Sequence, residues 1–479
     1  MASPHQPTTA MVLAPDRQRR FHYVPFAAVV EGALMGAILY ALLFVAGSVA
    51  AAAIAVAYAF YRTNGADRTV ALIVLYGAWQ ALDTATFSGV SFQQSVLGGG
   101  LSGPGRAILL IAITASMVPM FRQLSSGMLV WLFFTLLICI ACAVHLFSIG
   151  LLVSTTVGRL FSAGLLVAAG LTVVGGRGAV NSRQTMSPRG VDAAGIVFGL
   201  LTSLLLMGAA LFALGAGNRV NGDFQGAVIH PQTWGLIGGA LAILAFGFGR
   251  RFPLAYIIAL LAAVTIWLSG TRTALLALVL GIVLDIALAA LPKRTSASSA
   301  VVLIAVTASA AISLLLLALF ASGSIVSATD ALLSAYIEAR GVLFYESAFN
   351  FALHPLFGIG FGVPSDVRLL DPGFLAQSIS TFGTTGEKGS SYIAMFEENG
   401  LLLGIPWIAL LVTLLVKTAR SSVIVGVVLY LIIISHGEAV LLSLSGPAAL
   451  VWGTILAGVV AESRPDVLHQ SQTPLSDIS

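Results

Sequence analysis

The chain has 479 residues, 58% of them apolar and 9% charged, with a mean hydropathy of +1.00; that is more apolar surface than a soluble core can bury, so composition points to an integral membrane protein. The net charge of +4 reports orientation in the bilayer and gives no reason to expect a nucleic-acid partner. A β-barrel is excluded as well, because the apolar runs are continuous rather than alternating.

In chain order, bilayer-length apolar stretches predict spans at 26–44, 46–61, 69–86, 105–121, 127–146, 160–176, 193–214, 233–249, 252–269, 271–290, 299–321, 391–416, 421–435 and 443–461. The fold expected is all-α, a polytopic integral membrane helix bundle of about 12–14 transmembrane helices. The Gly and Ala inside these stretches suit close helix packing in lipid. The tract Phe26 to Tyr61 is too long for a signal peptide and reads as two helices, with Arg17, Arg19 and Arg20 before it and Arg62 and Arg68 after it. The organisation is a cytoplasmic tail (1–24), transmembrane helices 1–11 (25–322), a large extracytoplasmic loop (323–390), helices 12–14 (391–461) and a second cytoplasmic tail (462–479). Both tails are polar and expected to be disordered.

This topology sorts the charges. Sixteen of the 23 Lys and Arg, but only eight of the 19 Asp and Glu, fall on the cytoplasmic side, which is the segregation the positive-inside rule predicts. The seven outer bases are Arg106, Arg159, Arg219, Arg272, Arg340, Arg368 and Lys388. Arg106 and Arg159 sit at helix ends and read as side chains snorkelling to lipid phosphate. Arg272 lies in the polar turn Ser269-Gly270-Thr271-Arg272-Thr273, which joins two spans with almost no loop and holds the guanidinium at the outer mouth. Arg219, in Gly217-Asn218-Arg219-Val220-Asn221-Gly222, and then His230-Pro231 follow the seventh span and can fold over that mouth.

Within the long loop, Leu332, Leu333, Tyr336, Leu343, Phe344 and Phe351 recur at helical spacing with Arg340 and Glu346 interspersed, predicting an amphipathic helix on the outer face from about Asp330 to Leu353. His354-Pro355 ends it, and Gly358, Gly360 and Gly362 follow in a Gly-x-Gly-x-Gly run. No βαβ context surrounds that run, so it is not a dinucleotide fingerprint, though such a turn can cradle an anion.

Taken together, Arg219-x-x-Gly222 with His230-Pro231, Ser269 to Ala274, Arg340 ahead of His354-Pro355-Leu356-x-Gly358-x-Gly360-x-Gly362, and Ser391-Tyr392 leading to Glu398-Asn399-Gly400 resemble the O-antigen ligase and Wzy-type polymerase superfamily over roughly residues 200–460. The resemblance implies a metal-independent membrane glycosyltransferase without a cofactor. It would join or extend glycans carried on a polyprenyl diphosphate at the outer face of the bacterial inner membrane, with both termini cytoplasmic and 323–390 a periplasmic loop. Expected partners are the polyprenyl-diphosphate-linked oligosaccharide, membrane lipids, and other polysaccharide assembly and export proteins. Arg272 and Arg340 match the family's two functional arginines, suited to stabilise a departing diphosphate. Substrate contacts are expected from Arg219, His230, His354, Gly358, Gly360, His436 and Glu438.

The chain departs from the family pattern where many ligases carry a His, often His-Asn, before the span after the large loop. Here the sequence reads Gly386-Glu387-Lys388-Gly389. Glu387 as a base and Lys388 as a phosphate grip are the candidate catalytic replacements. The others are His230, His354, or His436 with Glu438 acting as a His–carboxylate pair. The missing His-Asn tilts the expectation toward a polymerase of exopolysaccharide repeat units rather than a ligase. No His, Asp and Glu set has metal-ligand spacing, and Cys139-x-x-Cys142, inside an apolar span, reads as helix packing. A transporter or flippase of lipid-linked glycans is the alternative from another class, and an inactive scaffold of an export complex is a third.

Overall fold

The computed structural model describes residues 26–82, 104–176, 192–215, 223–224, 226–228, 231–249, 252–290, 343–366, 390–418, 422–437, 441 and 448–462. Thirteen helices are defined there: α1 (Phe26–Val45), α2 (Gly47–Arg62), α3 (Gly65–Ala81), α4 (Pro104–Phe121), α5 (Ser126–Ser148), α6 (Ser154–Gly175), α7 (Ala193–Ala213), α8 (Pro231–Gly249), α9 (Leu254–Leu268), α10 (Arg272–Ala290), α11 (Ser391–Thr418), α12 (Ser422–Ile434) and α13 (Ala448–Glu462). Residues 343–353 are also helical, and Leu82 and Val228 form an isolated antiparallel β-bridge. Seven of these helices, α1, α4, α5, α6, α7, α8 and α11, are long and apolar enough to cross a membrane. The chain is an all-α, polytopic helical membrane protein.

Where a helix sits follows from which of its faces are apolar. α3, α12 and α13 are buried nearly all round and form the interior. α5 exposes most of its apolar side chains and buries only Met128, Thr135, Ile138, Cys142 and Leu146 along one stripe, as a lipid-facing helix must. The closest packing is of α1 on α7. A Cβ at Gly32 would lie 2.3 Å from Ile196 O, and one at Gly199 would lie 1.9 Å from Val29 O. Gly32, with Gly36 four residues on, is the small-x-x-x-small pattern that lets two backbones touch.

Contacts between loop ends establish an antiparallel order. At one end Leu82 pairs with Val228, Phe224 N donates to Leu268 O (2.9 Å), Arg106 on α4 donates to Ser162 Oγ on α6 (2.6 Å), and Ser391 N donates to Ser435 O (2.9 Å). At the other end Arg62 Nε donates to Glu31 Oε2 (3.0 Å) and Ala193 N donates to Asp67 Oδ1 (3.0 Å). The ends expected to share a side of the membrane therefore meet.

The predicted boundaries move in α3 and in α6. α3 starts at Gly65 rather than 69 and ends at Ala81 rather than 86. Its first turn admits Asp67 and Arg68 because Asp67 accepts from Ala193 and Arg68 folds back, Nη2 to Thr63 O at 2.9 Å. α6 starts at Ser154 rather than 160, because Thr156 Oγ1 accepts from Val153 N (3.1 Å) and donates to Leu151 O (2.8 Å), capping an earlier turn. The predicted span 299–321 and the predicted amphipathic stretch up to residue 342 lie outside the described residues.

Candidate functional site

The polar turn between α9 and α10 is built to hold Arg272 outward. Ser269 Oγ donates to Ile266 O at 2.7 Å and meets Thr271 Oγ1, so the two hydroxyls tie the turn together. Thr271 is buried against Gly235 of α8, where a Cβ would come within 2.8 Å of its side chain. Thr273 packs in the same manner against Gly437, at 2.7 Å. With its neighbours pinned, Arg272 begins α10; its side chain is exposed and has no partner among the described residues. Arg272 N and Ala274 N already donate to Gly270 O (3.0 Å) and Thr271 O (3.1 Å), so what the helix adds to that guanidinium is the positive end of its dipole. The combination suits a phosphate.

Beside it lies the turn 435–437, tied to the head of α11 through Ser391 N and Ser390 Oγ (3.3 Å), both donating to Ser435 O. His436 packs against Tyr392 at a tilt, with ring centroids 4.8 Å apart and ring planes 46° from parallel. Burial lowers the imidazole's pKa from 6.5 to about 4, so it is neutral at pH 7. Asp223 lies close to the Arg272 turn, its Oδ1 3.5 Å from where a Gly270 Cβ would stand. Asp223, Thr273, His436 and Tyr392 thus gather around one corner.

The Gly-x-Gly-x-Gly run does something the sequence does not reveal: it plugs a break in α11. Gly400, at φ 61° and ψ −167°, interrupts that helix. The freed carbonyls of Glu397 and Glu398 accept from Ile359 N (2.8 Å) and Gly360 N (2.9 Å), while Leu401 N and Leu402 N donate to Pro355 O (2.9 Å) and Leu356 O (3.0 Å). Residues 355–360 therefore satisfy both orphaned helix ends. Glycine is required at the crossing, since a Cβ at Gly358 would sit 2.5 Å from Glu397 O and one at Gly400 2.3 Å from Leu356 O.

Side chains reinforce the strap. Asn350 Nδ2 donates to Glu397 Oε1 (2.7 Å) and to Ser365 O (3.0 Å), Gly362 N donates to Glu398 Oε2 (2.7 Å), and His145 Nε2 meets Gly358 O (2.9 Å). With Gly358 N bonded to His354 O at 2.8 Å, the N–H groups of Gly358, Gly360 and Gly362 are all engaged within the protein. An anion cradle formed by these amides is therefore not what the run supplies. His354 ends the 343–353 helix and leaves its imidazole exposed.

Arg106 and Arg159 correct the snorkelling expectation. Arg106 donates into the bundle, to Ser162 Oγ (2.6 Å) and Gly158 O (3.3 Å), and Arg159 Nη1 donates to Gly362 O. Both are braces, because carbonyls and hydroxyls at the helix ends lie within reach. Cys139 and Cys142 are free thiols packed in the bundle, Cys142 donating to Asn399 Oδ1 at 3.5 Å.

Of the expected site residues, the structure places Arg272 and His436 at one corner, and His354, Gly358 and Gly360 at the strap, with the first half of α11 bordering both. Arg219, His230, Arg340, Glu387, Lys388 and Glu438 lie outside the described residues. Sequence reasoning overlooked Asn350 and Asp223. A lone Asn on the protein-facing side of an otherwise apolar helix was the available signal for the first; nothing local marks the second. Among the described residues no three His, Cys, Asp or Glu converge as a metal site. Neither the family models nor the curated proteins searched include a match to this chain.

Proposed function

We propose that the protein transfers glycan from a polyprenyl-diphosphate-linked oligosaccharide to a sugar hydroxyl at the outer face of the bacterial inner membrane, polymerising exopolysaccharide or O-antigen repeat units. The Arg272 end of the bundle is then the periplasmic end, residues 323–390 are the periplasmic loop, and both termini are cytoplasmic. The observation that carries the reading is Arg272 itself, an exposed guanidinium without a partner among the described residues, while Arg106 and Arg159 at the same end are spent on internal bonds.

As the glycosidic bond breaks, negative charge grows on the leaving diphosphate. A planar guanidinium grips two of its oxygens, and the positive end of the α10 dipole adds to its field. Arg340 is the expected second clamp. Replacing either by Ala should slow transfer by roughly 10²-fold or more. The test is to express Arg272→Ala and Arg340→Ala in a strain lacking the native gene and resolve the lipid-linked glycans. A polymerase defect accumulates single repeat units on the carrier; a ligase defect, the alternative within this chemistry, accumulates finished polymer. Full-length polysaccharide from the doubly substituted protein would refute the enzymatic reading.

The break in α11 favours a second reading, transport of the lipid-linked glycan, because discontinuous helices often form transporter binding sites. Against it, the backbone groups freed at Gly400 are taken by residues 355–360. A transport defect would leave the repeat units facing the cytoplasm, which separates the two readings.

A further inference from the structure

The 343–353 helix has two apolar faces where a helix covering the end of a bundle needs one. Phe344, Ser347 and Phe351 turn toward the protein, with Phe351 and Phe396 ring centroids 5.9 Å apart and Phe344 only 4% exposed. The opposite arc would be polar if it faced water. It carries Tyr345, Phe349 and Leu353 at i, i+4 and i+8, which are 73%, 53% and 59% exposed, with Glu346 at its margin. The strap continues the stripe through Leu356 (53%) and Phe357 (48%).

We propose that this stripe is seated in the lipid leaflet at the Arg272 end of the bundle, so that the helix lies in the membrane interface beside the site. Continuity with the lipid-facing surface decides the occupant. Phe357 stacks on His145 of α5 at 5.6 Å, and two residues further along α5 Phe147 is 73% exposed, at the end of the apolar face that α5 shows along its whole length. The stripe therefore extends an apolar belt that already meets hydrocarbon and turns it along the bilayer surface, as an amphipathic interfacial helix does. Tyr345 suits that depth, with a hydroxyl on an apolar ring. This inference stands on the membrane-crossing helices and not on the chemistry proposed for the site.

Spin labels test it. With Cys139→Ala and Cys142→Ala removing the native thiols, single cysteines replace Tyr345, Phe349 or Leu353 in the full-length protein in phospholipid nanodiscs, with Ser347→Cys as a protein-facing control and Glu346→Cys at the margin. Collision with oxygen, which concentrates in lipid, is compared with collision with a water-soluble nickel chelate. The expected result is oxygen over nickel at 345, 349 and 353, a larger nickel share at 346, and little of either at 347. Nickel equal to or above oxygen at the stripe means it faces water and overturns the proposal. Low access to both at the stripe means a protein partner or a second copy covers it, which overturns it equally. The three labels replace exposed side chains, so folding is not at stake in them, and dependence on lipid is checked by repeating the measurement in detergent.

Discussion

Replacing Gly358 by Ala tests whether the strap holds α11 together. The new Cβ would stand 2.5 Å from Glu397 O and from Glu398 C, and 2.6 Å from Asn399 N, all backbone atoms that cannot swing aside. Gly358 also has φ +69°, where an L side chain costs about 1–2 kcal/mol. Backing the strap away stretches the bonds from Ile359 N and Gly360 N to the carbonyls of Glu397 and Glu398, and each buried group left unsatisfied costs about 1–3 kcal/mol. The expected loss is about 3–8 kcal/mol. Gly127→Ala is the matched control, since Gly127 lies in α5 with nothing within 4 Å of its Cβ position; there Ala should be neutral or stabilise by up to about 1 kcal/mol. Thermal unfolding of both variants in the same detergent is the assay. If Gly358→Ala melts with Gly127→Ala, residues 355–360 are not what completes the broken helix.

Three further outcomes follow from the same contacts. The folded His436 imidazole stays neutral down to about pH 4, whereas the unfolded chain titrates near 6.5. The stability linked to this group is therefore present above about 6.5 and lost as pH falls toward 4, at most about 3 kcal/mol, and His436→Gln should flatten that part of the stability–pH curve; an unchanged curve would mean that the ring is already solvated. Asn350→Asp sets a second carboxylate 2.7 Å from Glu397 Oε1, so the 343–366 segment should become protease-sensitive at neutral pH and tighten again in acid as the pair takes up a proton; equal cleavage at both pH values would count against the contact. Gly199→Leu drives a side chain into the backbone of α1, 1.9 Å from Val29 O, and should cost at least the 1–3 kcal/mol of ordinary overpacking, read as a lower melting temperature, while a wild-type melt would mean that α1 and α7 do not touch as described.

Much of the architecture was legible in the sequence because its cause is local. A bilayer-length apolar run must be a helix wherever it sits, so most spans were found to within a few residues. The polar turn Ser269 to Thr273 declared an exposed Arg272 for the same reason: five consecutive polar or small residues between two apolar runs leave no other place for a guanidinium. The fates of Arg106 and Arg159 were not legible, because a charge at a helix end reads alike whether it meets lipid phosphate or a carbonyl on the next helix. Least legible was the strap. Gly400 sits inside the predicted span 391–416, which passes for one continuous helix, and residues 355–360 pass for a loop, because the bonds joining them, such as Ile359 N to Glu397 O, link positions some 40 residues apart. Apolar periodicity records which faces avoid water. Which backbone groups a break orphans, and which distant amides and carbonyls then satisfy them, was decided only when tertiary packing brought the two segments into register.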